Sequence, residues 1–369
     1  MTKFVTVFAL LTMACGTSED PALSQLEDEV CGDAPQVTTI ASGLTNPRGL
    51  IFGPDGLLYF TEAGTGGTLT ATNTPDCPAN INIYSPYTAG YSGRVSRIRR
   101  NGTVQVVADN LPSMTDAFGG SYGATDVAFI GDTLYVLIEL GGCTHGMPDN
   151  LPAVLRVNKD GTTTNVANLN AFITANPPFW LPDTNPATTD IEPGGVTHSM
   201  IAHDGFLYVV ETNRGELLRV NPKNGEIKRL YDMSVDSREH NPIVMTRKGN
   251  KFYVGTFGDE GGPAELARFD KQFSGYDLPF AGPINPIVGL AWRGNTLYGV
   301  EIFDYDNQWV PDTGNLIKFD SDGNHETVLS DFASFPNGLI TGPDGALYTS
   351  NWGITYTGAG DGGILRIRL

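Results

Sequence analysis

The chain has 369 residues, 45 of them glycine and 24 proline, and only 17% are charged. That profile favours many short strands joined by turns over long solvated helices, and the length suits one large all-β domain. With 23 basic against 41 acidic residues the formal net charge is −18, a field that repels phosphate backbones and argues against nucleic acid as a partner.

The opening residues "MTKFVTVFALLTMAC" carry Lys3 and an apolar run from Phe4 to Ala14. The run is too short to cross a bilayer as a helix but has the size of the apolar part of an export signal. Residues 1–14 are therefore predicted to direct export. The stop at "TMAC" is similar to a lipoprotein cleavage site, which makes Cys15 a lipidation candidate and a lipid the expected membrane contact. A periplasmic, cell-surface or extracellular location follows. Residues 15–36 are polar, acidic and broken by Pro21 and Pro35, and read as a tether.

From residue 37 to 369 one phrase repeats. "GLIFGPDGLLYFTEAG" at 49–64 returns as "GLITGPDGALYTSNWG" at 338–353. Its Leu/Phe-Tyr core occurs at Leu58-Tyr59, Leu134-Tyr135, Leu207-Tyr208, Phe252-Tyr253, Leu297-Tyr298 and Leu347-Tyr348, each after an apolar run and a Gly/Asp/Asn turn. These are hairpin signals. A second hairpin follows in stretches such as "GRVSRIRRNGTVQVVAD" and "ELLRVNPKNGEIKRLYD". Two hairpins make a four-stranded unit, and six units predict a six-bladed β-propeller, an all-β fold. The last unit, "GGILRIRL", is one strand short, while "QVTTIASG" at 36–43 has no partner. The N-terminal strand is predicted to complete the last blade and close the ring, removing exposed edges.

In a propeller the ends of second strands and the starts of first strands share one face. Second strands end at Glu62, Glu139, Glu211, Thr256, Glu301 and Asn351; first strands begin at or near Asn46, Asp126, His198, Asn241, Asn285 and Asn337. Glu62, Glu139, Glu211 and Glu301 are candidate ligands for a divalent cation such as calcium, which favours oxygen donors. The competing reading has them satisfy loop N–H groups. The long insertions open on the same face, so Asp126, His198, Asn337, Asn351, Trp180, Trp309 and Trp352 are candidate ligand-binding residues. Cys77 and Cys143 lie in equivalent loops of adjacent blades and form a disulfide candidate for an exported protein. Other patterns carry no chemistry. In "DSDGNHE" (320–326) the glycine falls at the fourth position, so it reads as a hairpin turn rather than a calcium loop. His198 and His203 would point to opposite faces of a strand.

The stretches "ASGLTNPRGLIFGPDGLLYFTEAG", "SGRVSRI" and "FPNGLITGPDGALYTSNWG" resemble the ScyD/ScyE family of secreted six-bladed propellers, over residues 37–369, and also look like NHL repeats. The resemblance implies an exported propeller of undefined activity. A more distant likeness, to the senescence-marker-protein/gluconolactonase family, implies a lactone hydrolase with a cation at the channel mouth. That family's opening "EGP" is replaced here by "TNPRGL". The expected function is thus binding of a small molecule, glycan or protein by a monomeric propeller; the alternative is a metal-dependent lactonase or esterase.

Overall fold

The computed structural model describes residues 34–181, 185–258, 263–280, 283–304, 309–354 and 362–369. The expected export signal, Cys15 and most of the tether lie outside the described residues. Residues Val37–Arg368 form one compact unit, an all-β six-bladed propeller.

The first sheet holds β2 (Pro47–Phe52), β3 (Leu58–Glu62), β4 (Thr88–Ile98), β5 (Val104–Thr115) and the short β6 (Ser121–Tyr122). The second holds β7 (Ala124–Ile130), β8 (Thr133–Ile138), β9 (Ala153–Val157) and β10 (Thr163–Asn168). The third runs β11 (Thr197–His203), β12 (Phe206–Glu211), β13 (Glu216–Val220), β14 (Ile227–Asp232). The fourth runs β15 (Pro242–Lys248), β16 (Lys251–Thr256), β17 (Leu266–Asp270), β18 (Tyr276–Asp277). The fifth contains β19 (Ile287–Arg293), β20 (Thr296–Glu301), β21 (Gly314–Phe319) and β22 (His325–Ala333). The sixth contains β23 (Asn337–Thr341), β24 (Leu347–Asn351) and β25 (Gly362–Arg368), with β1 (Gln36–Leu44) hydrogen-bonded beside β25. A short helix, α1 (Leu169–Ala175), follows the second sheet, with the Asn168 side chain accepting from Ala171 N at 2.9 Å.

The recurring tyrosine has a physical reason. In every sheet it stands directly across the ladder from a basic residue: Tyr59 from Arg97, Tyr135 from Arg156, Tyr208 from Arg219, Tyr253 from Arg268, Tyr298 from Lys318, Tyr348 from Arg366. The first and last sheets add the turn aspartate. Tyr59 Oη donates to Asp55 Oδ2 (2.9 Å) and accepts from Arg97 (2.8 Å); Tyr348 Oη does the same with Asp344 (2.9 Å) and Arg366 (3.1 Å). The shared words "GPDG" and "LY" therefore encode one clasp, which holds the turn, the second strand and the third strand together.

Between sheets the core is aliphatic and aromatic. Ala128, Leu137 and Val154 of the second sheet pack on Met200, Leu207 and Val209 of the third, all nearly free of solvent. At the seam, Ala41 and Leu44 of β1 pack with Leu50 and Phe60 of the first sheet and Ala346, Tyr348 and Ile364 of the sixth. A Cβ at Gly362 would collide with Leu44 O and Pro47 Cδ, so glycine is required for that approach.

Deleting residues 36–43 removes Ala41 from this seam and uncovers the edge of β25. The melting temperature should fall by about 5 °C or more. An unchanged melting curve for the truncated protein would show that β1 contributes nothing to closure.

Candidate functional site

The six innermost strands surround an axial cavity of about 280 Å³. Its wall is largely aliphatic, from Leu50, Val127, Met200, Val244, Leu290 and Leu339, and three of the sequence-predicted residues face it: Asp126, His198 and Asn337. Their placement follows from a repeated irregularity. In each sheet the ladder between first and second strand slips near the start of the first strand: after Pro47, Ala124, Thr197, Pro242, Ile287 and Asn337. A bulge re-aims the side chain it displaces, and His198 is one such residue.

His198 is buried and neutral. Its Nδ1–H donates to Ile243 O (3.1 Å), which leaves Nε2 to accept from Asn337 Nδ2 (3.2 Å). Burial, and then the charge of Arg48, lower its pKa to about 3. Asp126 touches the channel although it lies deep in the protein. Met200 N donates to its Oδ2 (2.7 Å) and Val127 N to its Oδ1 (2.8 Å). Burial raises its pKa to about 7, with those donors opposing the rise.

The strand-end residues do not converge. Glu62 accepts from Thr45 N (2.9 Å) and Ser96 Oγ (2.8 Å), Glu211 from Val196 N (2.9 Å) and Arg214 N (2.8 Å). Glu301 accepts from Asn285 N (3.1 Å) and from the amides of Asn285 (3.0 Å) and Asn315 (3.2 Å), and Asn351 accepts from Ser334 N (2.7 Å). Each ties the segment entering its own blade to the end of the second strand. Thr256 accepts from Glu265 N at 2.8 Å, and Asn46 and Asn241, both left-handed, donate to Gly64 O (2.8 Å) and Gly258 O (3.1 Å). Among the described residues no group of three or more His, Cys, Asp or Glu is arranged to hold a metal ion. Glu62, Glu211 and Glu301 thus accept from donors within their own blades.

Glu139 differs, and it reveals a residue the sequence did not single out. Arg48, almost wholly buried, donates to Glu139 Oε2 (2.6 Å), to Gly353 O (3.2 Å) and to Ser121 O. One guanidinium thus joins the first, second and sixth blades. It is also the charged residue at the slip position where other blades carry Thr125, His198, Ile243 and Val288, the signal that would have marked it. A second missed pair lies in the loops. His145 Nε2 meets Glu192 Oε2 at 3.1 Å with both side chains buried; Asn82 Nδ2 (2.6 Å) and Tyr87 Oη donate to the other oxygen. Burial opposes ionisation of Glu192, but His145 and the other partners prevail and hold its pKa below the usual carboxylate range. This cluster pins the first-blade insertion to the loops of the second blade.

Cys77 and Cys143 meet in those loops as free thiols in hydrogen-bond contact. Cys143 is pushed up to about 11, first by its bond to Cys77 and then by burial. Trp180 lies apart, its backbone N–H donating to Ser234 Oγ at 3.0 Å. Trp309 and Trp352 come together with three phenylalanines that follow second strands or precede first ones. Trp309 stacks on Phe257 (6.2 Å between centroids, 26°), meets Phe303 (5.0 Å) and Phe335 (6.4 Å), and Phe335 meets Trp352 (5.6 Å). Trp309, Phe335 and Trp352 all have positive φ, and Trp309 is 40% exposed. Bulky residues rarely adopt that backbone.

No family model and no curated protein matches the chain. Among solved structures it is similar to a protein named as an oxidoreductase (glucose dehydrogenase) of Thermus thermophilus, at 18% identity over 91% of this chain and 100% of that one, TM-score 0.56. It is also similar to an auxiliary nutrient binding protein of Bacteroides thetaiotaomicron (9%, 90% and 76%, TM-score 0.55) and to a protein named as a gluconolactonase (12%, 91% and 92%, TM-score 0.52). These similarities establish the propeller fold.

Raised carboxyl pKa values make stability pH-dependent. Burial raises Asp126 and Glu211, and burial plus the Glu211 charge raises Glu216, which stands directly across the ladder from it. The native state then keeps protons that the unfolded chain releases above about pH 4. Stability should fall as pH rises from about 4 toward 7. His240 adds to the same trend. Burial lowers its pKa, but Glu265 and Asp236 raise it more, so its contribution is present below about pH 6.5 and lost as pH rises through the folded value. The melting temperature should be roughly 5–10 °C lower at pH 8 than at pH 5, and D126N should flatten the slope. A melting temperature that rises over this range would contradict the assignment.

Proposed function

We propose that the protein is an exported binding propeller that takes a ligand with flat apolar ring faces, a glycan, across the aromatic strip at its loop-bearing end. The observation that carries this reading is Trp309: partly exposed, held on a left-handed backbone, and backed by Phe257, Phe303 and Phe335. Aromatic faces give contact area at low entropic cost, and sugar rings present C–H faces that stack on indole. The rim supplies polar groups: Asp312 N donates to Ser334 Oγ at 3.1 Å, and the Ser334 hydroxyl in turn donates to Asp312. Screening against neutral and acidic oligosaccharides, followed by tryptophan fluorescence titration, should find a ligand whose affinity falls about tenfold or more in W309A. Ligand binding indifferent to Trp309 would move the site elsewhere.

Hydrolysis of a lactone or ester is the second reading, favoured by one observation. Asp126, a channel carboxyl with a pKa of about 7, is poised for proton transfer near neutral pH. The four strand-end glutamates are held by protein donors, which a cation would have to displace. Calcium added after EDTA treatment should therefore leave the melting temperature unchanged. A rise abolished by E62Q and E211Q, with turnover of simple lactones, would establish the hydrolase instead.

A further inference from the structure

The axial cavity is separate from the aromatic strip and carries a charge pattern of its own. Asp126 is the carboxylate in its wall, no lysine or arginine lines it, and the one histidine there, His198, is neutral. Among the described residues no cation is paired with Asp126. The nearby Arg48 guanidinium turns away to Glu139, Gly353 O and Ser121 O. Two backbone donors, from Met200 and Val127, and the Ser199 hydroxyl occupy most of the carboxylate; with about four lone-pair positions available, it keeps one for a further donor. Its position is fixed by those bonds, and it packs so close to Gly49 that a Cβ there would collide with it. Around it the wall is hydrocarbon. Burying a carboxylate against hydrocarbon without a counter-charge is unfavourable, so Asp126 holds its proton up to about pH 7; above that pH a bound cation would take the proton's place.

We propose that this cavity binds a small organic cation: an alkyl or cycloalkyl ammonium whose nitrogen pairs with Asp126 and whose hydrocarbon body lies along Leu50, Val127, Met200, Val244 and Leu339. The volume of about 280 Å³ sits near the lower limit for small-molecule sites. An anion is disfavoured by Asp126 and by the chain's net charge of −18. A hard metal ion wants six or more oxygens, which an aliphatic wall with a single carboxylate does not supply. Met200 and Met245 can reshape to fit hydrocarbon chains of different form.

The test is calorimetric titration and thermal melting of the full protein with n-butylammonium, cyclohexylammonium and tetramethylammonium, beside n-butanol and cyclohexanol. Ammonium ions should bind saturably with one site and raise the melting temperature, and the alcohols should not. D126N keeps an acceptor for one backbone donor and sets its NH2 against the other, so its fold is checked by circular dichroism, and the folded variant should lose about thirtyfold or more in affinity. Ala202→Phe, which fills the channel, should also abolish binding. Alcohols binding as well as amines, D126N binding amines undiminished, sodium or calcium competing at least as tightly, or no ammonium ion binding at about 10 mM would each overturn the proposal.

Discussion

Six strands that meet around one axis crowd one another near their starts, and the rest of the molecule follows from how that crowding is relieved. Each first strand slips its ladder near its start, at the same level in all six sheets. Glycine stands where neighbouring inner strands touch. Gly49 lies against Asp126, and Gly289 against Gly338 and Leu339. At this level the blades also exchange side-chain bonds, Thr125 Oγ1 donating to His198 O and His198 to Ile243 O. Arg48 completes the collar by joining three blades through one buried, fully accompanied charge. A lone guanidinium so placed would be costly, whereas one with Glu139 and two carbonyls as partners fixes geometry.

The blade count was legible because the tyrosine opposite a base recurs with the hairpins and leaves a period in the text. The turn aspartates Asp55 and Asp344 were equally visible. What the strand-end glutamates do was not. Their donors, Thr45, Val196 and Asn285, belong to the segment entering the blade, fifteen to seventeen residues earlier in sequence. Only the fold turns that separation into contact. A carboxylate at a strand end reads the same whether it faces a cation or an N–H group. His145 and Glu192 come from loops with no period at all, so their pairing has no signature in the chain. The aromatic strip lies between these cases. Phe257 and Trp352 occupy matching positions one residue past second strands and Phe303 lies two past its own, while Trp309 and Phe335 join them only through the loop path.

The molecule thus separates two kinds of surface. The axial wall is built from six strands whose backbone donors go to ladders or to wall side chains such as Asp126, and whose polar groups are few and placed. The loop-bearing end is assembled from insertions of unequal length. These are held down by buried polar contacts such as the Tyr87–Asn82–Glu192–His145 cluster and by aromatic packing. A scaffold of this kind can alter what its loops recognise without disturbing the axis, since the two share few side chains.

The seam in the sixth sheet also bears on the order of events during synthesis. Strand β1 leaves the ribosome 362 − 44 = 318 residues ahead of the first residue of β25, the strand it lies beside. At about 5–20 residues per second it waits roughly a quarter of a minute to a minute. A strand that must wait is exposed to pairing with other chains. β1 suits the wait: its sequence QVTTIASGL is mostly polar or small, and most of its residues stay exposed even in the finished ring. Among the described strands the first one made is the last to find its neighbour, and its composition lets it remain in water until then.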